Sequence, residues 1–255
     1  MEQNITQTSR LAWLGTSQPL LVAYFPVNDP LVPLDLLEVY DAAGVDIVEM
    51  GLRASNPTHD GAIVAGSMLR ATGSGAVSDA FEVARRVRGF KRPASAILFA
   101  YTEAPLQQAR EEWREIEGLL CLGADQAARR LVMDRARAQG TRIVEFLPYA
   151  FDEADIARAV AAETYVMLHY SPGQTGLRDV LDPHLAQRLA RLRAAGVRQP
   201  IVPGIGISTF DQARDAVQQG ANGVVLGSKT ILKAQEGRQA LQDYLGQMRE
   251  VLDHG

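Results

Sequence analysis

Three lysines, Lys91, Lys229 and Lys233, stand against 23 arginines, and none of the three ends an apolar run. A Schiff-base mechanism needs a desolvated amine inside the fold, so that chemistry is disfavoured. The four histidines, His59, His169, His184 and His254, show no paired spacing of the kind that holds zinc, and no metal site is expected. The single cysteine, Cys121, cannot form an internal disulfide; its place in the run Leu119-Leu120-Cys121-Leu122 suits the core and a reducing cytoplasm. The longest uncharged stretch, Leu11 to Asn28, is broken by Gly15, Pro19 and Pro26 and follows no basic leader, which argues against a membrane helix and a signal peptide. With 30 acidic and 26 basic residues the net charge is −4, leaving no electrostatic footprint for nucleic acid or an anionic membrane. Any anion has to be gripped locally.

What is present is a regular alternation over 255 residues, 47% of them hydrophobic. Apolar runs at Leu20–Phe25, Asp46–Met50, Ser95–Tyr101, Leu119–Leu122, Arg142–Leu147, Tyr165–Tyr170, Ile201–Pro203 and Gly223–Leu226 read as strands. Between them, Leu34–Ala43, Ala80–Arg88, Gln126–Gln139, Glu153–Ala162, Pro183–Ala195 and Thr209–Gln219 carry helical patterns, several closed by glycine. Doubly buried strands separated by amphipathic crossovers call for a parallel sheet with helices outside. Eight such units in a chain of this length predict an α/β fold, a single-domain (β/α)8 TIM barrel over residues 1–255, with its active site at the carboxyl ends of the strands. Residues 1–18 are expected to be helical and to pack on the barrel. The rival, an open doubly wound sheet, lacks its glycine-rich first turn, since the first strand runs into Phe25-Pro26-Val27-Asn28-Asp29-Pro30.

Strand parity places Ile47, Glu49 and Gly51 on one face and Val48 and Met50 on the other. Glu49 then points into the barrel mouth, where apolar neighbours raise a carboxyl pKa toward the range useful for proton transfer. The alternative is a Glu49 facing the helices and paired with Arg53. Asp60, in the following loop, is a second acid that alone would read as a solvated turn residue. Small-residue loops follow the last three strands: Gly173-Gln174-Thr175-Gly176, Gly204-Ile205-Gly206-Ile207-Ser208, and Gly227-Ser228 opening a helix. The loops after strands seven and eight commonly build a phosphate site in barrels, although single glycines there also serve only as tight turns. The chemistry left is carboxylate acid–base catalysis on a phosphorylated small molecule, without a cofactor; carbon–carbon cleavage by such a site needs a substrate with its own electron sink.

Ile47-Val48-Glu49-Met50-Gly51 followed by Ser55-Asn56-Pro57-Thr58-His59-Asp60-Gly61, with the three later loops in the same order, resembles the tryptophan synthase α chain family from about Leu20 to Ile231. The resemblance implies a barrel that cleaves indole-3-glycerol phosphate, or a close analogue, into indole and glyceraldehyde 3-phosphate, with indole as the sink. It implies Glu49 as general acid–base and Asp60 as the partner of the indole N–H. It implies Gly176, Gly206, Gly227 and Ser228 as phosphate donors, Thr175 in loop closure and Tyr101 as a pocket tyrosine. It also implies a pyridoxal-phosphate β subunit, or a divergent counterpart, as partner.

The chain departs from the family at Asn56, where aspartate is usual, at Arg53, where proline is usual, and at His59, where a small residue is usual. The sixth loop lacks the usual arginine and reads Tyr170-Ser171-Pro172-Gly173, with Arg178 on its other side; Gly123-Ala124-Asp125 replaces an Asp-Val-Pro turn. Two other functions stay open: a weakly active or regulatory α-like subunit, and another phosphate-handling barrel isomerase or synthase. Retention of both Glu49 and Asp60 favours the lyase.

Overall fold

Residues 18–171 and 182–254 are described by the structure, a computed structural model. The eight apolar runs form nine strand segments: β1 (Leu20–Pro26), β2 (Ile47–Gly51), β3 (Ser95–Tyr101), β4 (Gly118–Leu122), β5 (Arg142–Ile143), β6 (Glu145–Leu147), β7 (Val166–His169), β8 (Ile201–Gly204) and β9 (Gly223–Leu226). All pairings are parallel, in the orders β5-β4-β3-β2-β1-β9 and β6-β7-β8. Strands β1 to β4 are buried along their whole length, as strands covered on both faces must be.

The predicted fifth strand is divided at Val144 because it serves two ladders. The Val144 amide donates to the Leu119 carbonyl at 2.9 Å, and the next amide, Glu145, turns to Tyr165 at 3.4 Å. The ring closes on its other side through Asn222, whose amide donates to the Ile201 carbonyl (2.9 Å) while its Oδ1 accepts from the Ile201 amide (2.9 Å). The Leu20 amide donates to the Asn222 carbonyl at 2.8 Å, so one residue links β8, β9 and β1. Gly223 makes the close approach possible: its φ is +142°, and a Cβ there would lie 2.1 Å from the Leu20 carbonyl oxygen.

The helices are α1 (Leu37–Ala42), α2 (Ala62–Arg70), α3 (Phe81–Arg88), α4 (Ala104–Gln108), α5 (Gln126–Ala138), α6 (Glu153–Val160), α7 (Leu185–Ala194), α8 (Phe210–Gln218), α9 (Ser228–Glu236) and α10 (Arg238–His254). Their starts are written locally: Asp125 accepts the Ala127 and Ala128 amides, and Asp152 with Asp155 and Thr209 with Gln212 form capping boxes. The tail holding His254 is a 17-residue helix, with Leu241, Tyr244, Leu245, Met248 and Leu252 on its buried face. From it, buried Arg249 reaches Asp46 (3.0 Å) and the Pro19 carbonyl (2.7 Å), tying α10 to the amino end of the barrel. Cys121 is buried, and its thiol is pushed up to about 12 by burial. No helix among the described residues is long and apolar enough to cross a membrane. The expected N-terminal helix, and the loop with Thr175 and Gly176, lie outside the described residues, except that Gln18 donates to Asp253 at 2.8 Å.

Asn222→Ala removes the partner of the Ile201 amide at the barrel seam. We expect it to lower the unfolding free energy by about 1–3 kcal/mol, measured by denaturant titration, since a buried donor is left without an acceptor.

Candidate active site

The inward side chains at the carboxyl ends of the strands meet in one cavity. Its empty space, counted together with the adjoining open solvent, is about 540 Å³, and it is lined by Tyr24, Glu49, Asp60, Phe99, Met167 and the loops at Gly206 and Gly227, among others. Glu49 lies in register with Tyr24 of β1 and Ile97 of β3. Only 2% of its surface is exposed. The Tyr165 hydroxyl, across the barrel and just before β7, donates to Glu49 Oε1. Burial lifts the Glu49 carboxyl to about 7, with the Tyr165 hydrogen bond pulling the other way and the nearby Asp60 charge adding to the rise. The orientation toward Arg53 is not adopted; Arg53 is exposed on the loop.

Asp60 is buried rather than solvated, because the loop bearing it folds back over β3. Its Oδ2 accepts from the Tyr101 hydroxyl at 2.7 Å, and the same hydroxyl oxygen accepts the His59 amide at 3.1 Å. Burial, and then the Asp60 charge, raise the Tyr101 hydroxyl above its ordinary range, so it stays a donor. A second tie holds the loop: Glu103 Oε1, past the end of β3, accepts the Ser55 amide (2.5 Å) and hydroxyl (3.0 Å). The helix that follows, α2, is fastened to the loop after β1. Buried Asp29 accepts from the Ser67 hydroxyl and from Arg70 (2.7 Å), and although burial raises its pKa, these bonds hold it below the usual carboxylate value.

From the cavity-lining Tyr24 and Phe99 a chain of ring contacts runs outward. Tyr24 meets Phe99 edge-on at 5.9 Å, Phe99 meets Tyr101 at 5.9 Å, and Tyr101 meets His59 at 6.1 Å. His59 then meets Phe146 at 6.3 Å, and Phe146 meets His169 at 6.0 Å. His59, half-buried there, is held below its ordinary pKa by burial and then by the Arg129 charge.

Opposite, the loops after β8 and β9 approach each other. Gly206 has φ +115° and no room for a side chain, since a Cβ would lie 2.1 Å from Ser171 Oγ. Gly227 precedes α9, and a Cβ there meets nothing within 4 Å. Ser228, the first residue of α9, is buried, and its Oγ has no hydrogen-bond partner among the described residues. Small residues and a hydroxyl without a partner among the described residues thus stand together at the start of α9. Of the predicted residues, the structure thus gathers Glu49, Asp60, Gly206, Gly227 and Ser228 around one space, with Tyr101 hydrogen-bonded to Asp60.

Strand parity could have found two others. Tyr24 is level with Glu49 on the neighbouring strand, and Tyr165 shares the inward face of Met167. Among the described residues no group of three acidic, histidine or cysteine side chains is placed to hold a metal ion.

The profile of the tryptophan synthase alpha chain family matches residues 14–253. The chain belongs to that family. Members cleave indole-3-glycerol phosphate to indole and glyceraldehyde 3-phosphate. The chain is 26% identical over 250 residues to the tryptophan synthase alpha chain of Picosynechococcus sp., an alignment covering 92% of this chain and 94% of the relative. Its fold superposes on a solved tryptophan synthase structure from Mycobacterium tuberculosis with a TM-score of 0.78, 22% identity and 94% coverage of both chains. A Pyrococcus furiosus tryptophan synthase complex gives 0.71 and 21%, covering 92% of this chain and 98% of that one. The likeness establishes the family's (β/α)8 barrel, and low identity over full length marks a divergent member.

The raised pKa of Glu49 has a stability consequence. The folded protein holds this proton more tightly than the unfolded chain, so the associated stability is full below about 4.5 and is lost as pH rises through about 7. Glu49→Gln removes the penalty of a buried charge. At about pH 8 the variant should exceed the wild type by up to about 3 kcal/mol in denaturant unfolding, and the difference should vanish toward pH 4.5.

Proposed function

We propose that this chain performs the family reaction with Glu49 and Asp60 as its catalytic pair, on indole-3-glycerol phosphate or a close analogue. The observation that carries this reading is a pair of buried carboxylates, each satisfied by one tyrosine hydroxyl, facing the cavity that Gly206, Gly227 and Ser228 border.

Asp60 accepts the indole N–H and stabilises the positive charge that develops when C3 is protonated. Glu49, poised near 7, supplies that proton and takes one from the glycerol hydroxyl adjacent to the scissile bond. The C–O bond of that carbon becomes a carbonyl as the carbon–carbon pair returns to the ring. Indole and glyceraldehyde 3-phosphate leave, with the proton balance restored. The phosphate rests on the amides around Gly206 and Gly227 and on Ser228 Oγ, the hydroxyl that otherwise has no partner among the described residues. The protein works in the cytoplasm on this reading, consistent with its one buried thiol.

A β subunit of the pyridoxal-phosphate type is the proposed partner, on altered terms. Exposed Arg53 and Asn56 lie on the loop that leads to Asp60, and an arginine buried at a docking surface is costly unless paired. That loop is already tied to β3 through Glu103 and Tyr101, so its order depends less on a partner.

Incubation of the purified protein with indole-3-glycerol phosphate should release indole, and adding a generic β subunit should change the rate little. Glu49→Gln should lower turnover by at least about 10²-fold while keeping affinity for glycerol 3-phosphate; a variant as fast as the wild type would remove Glu49 from the chemistry. Gly227→Asp tests the phosphate grip, and is preferable to Gly206→Asp, which would also meet Ser171 and a left-handed backbone. Calorimetry should show glycerol 3-phosphate binding weakened at least about tenfold, while thermal unfolding is nearly unchanged.

A further inference from the structure

Of the three tyrosines around the carboxylates, two have committed their hydroxyl protons. Tyr165 donates to Glu49 and Tyr101 donates to Asp60. The third, Tyr24, is 3% exposed and lines the same cavity, yet its hydroxyl has no hydrogen-bond partner among the described residues. A buried hydroxyl left unpaired is unfavourable, and phenylalanine would fill the same volume without that cost. The neighbouring strand makes room for the hydroxyl specifically: a Cβ on Gly51 would lie 1.9 Å from Tyr24 Oη. The group is therefore accommodated by the barrel wall and left for something that enters the cavity.

The type of partner follows from the neighbours. Burial, followed by the charge of Asp60 and the presence of Tyr101 and Glu49, keeps the Tyr24 hydroxyl protonated, hence a donor. A donor on a ligand would be drawn to the carboxylates instead, which are stronger acceptors than a neutral phenol. An acceptor has one uncommitted tyrosine proton on this side, that of Tyr24. The position follows too. The Tyr24 ring leans over β2 toward Phe99 of β3, away from β9 and the Gly227–Ser228 corner. Its hydroxyl thus faces the aromatic half of a substrate whose phosphate sits at that corner.

We propose that Tyr24 is a specificity-determining residue, whose hydroxyl donates a hydrogen bond to an oxygen or nitrogen acceptor on the aromatic ring system of the substrate. The chain then prefers an indole-type glycerol phosphate bearing a ring hydroxyl, or a comparable ring acceptor, to the unsubstituted compound. The substrate's orientation here rests on the lyase reading given above.

The test uses the full chain, wild type and Tyr24→Phe, with two readouts. Calorimetry compares indole with its benzo-ring monohydroxy derivatives; turnover compares the corresponding glycerol phosphates. The wild type should bind at least one hydroxyindole about tenfold tighter than indole, and Tyr24→Phe should bring that ratio close to one. The kcat/KM ratio for the same pair should fall in parallel. Tyr24→Phe should also melt about 2–4 °C higher, because the unpaired hydroxyl is gone, which certifies that the variant is folded. The proposal is overturned if the wild type shows no preference within the series, or if Tyr24→Phe retains the wild-type preference. Failure of the lyase reading has a separate signature, since no indole would then be released from any glycerol phosphate while the binding comparison still decides the role of Tyr24.

Discussion

One hydrogen bond spans the barrel and sets the terms for the rest: the Tyr165 hydroxyl donating to Glu49, 116 positions apart in the chain. A carboxyl group at 2% exposure among apolar strands is costly to ionise, and without a donor it would simply remain protonated. Burial, and with it the nearby Asp60 charge, raises the group, the Tyr165 hydrogen bond draws it back, and it titrates near neutrality. Since β2 and β7 belong to different ladders, this contact exists only once the ring is closed. The divided strand at Val144 and the Asn222 seam, far from the chemistry in sequence, are therefore preconditions for it.

A second layer of contacts fixes the loop chemistry. Asp60 is on a connection, the kind of segment that is normally mobile and wet. Here it is drawn down by Tyr101 and its loop is tethered by Glu103, while Asp29 fastens the helix that follows. The ties reach the carboxyl end of β3 and the loop after β1, so the carboxylate is oriented by the barrel frame rather than by its own loop. Elsewhere around the cavity, polar satisfaction is incomplete. Ser228 and Tyr24 keep buried hydroxyls without partners among the described residues, one beside the small-residue corner and one beside the rings. On the proposed reading, such a cavity suits an amphiphilic ligand that brings an anion at one end and an aromatic body at the other.

Much of this was legible in the residues. Ser95–Tyr101 and Gly223–Leu226 form strands over the predicted spans, and strand parity alone turned Glu49 inward. Helices α2 and α4 carry little local signal: α2 follows Gly61, which offers no side-chain cap, and contains Gly66, and α4 is only 5 residues long. Helix α10 carries a helical pattern in Leu241, Tyr244, Leu245, Met248 and Leu252 that lies beyond the last strand-and-helix unit of the eightfold alternation. Asp60 looked like a solvated turn residue because nothing local reveals that its loop folds back onto Tyr101.

By itself, then, the sequence determined the alternation of strands and helices, the inward face of β2, the small-residue corners after β8 and β9, and the helix caps. These depend on side-chain period, backbone freedom and hydrogen bonds between residues close in the chain. Tertiary structure alone decided which hydroxyl meets which carboxylate, that Tyr24 is left with no partner among the described residues, and that the fifth strand divides between two ladders. Those outcomes are set by barrel closure, which brings residues more than a hundred positions apart within hydrogen-bonding distance. The proton affinity of Glu49 follows from that closure, because it measures the solvent excluded and the charges assembled around the group once the ring is complete.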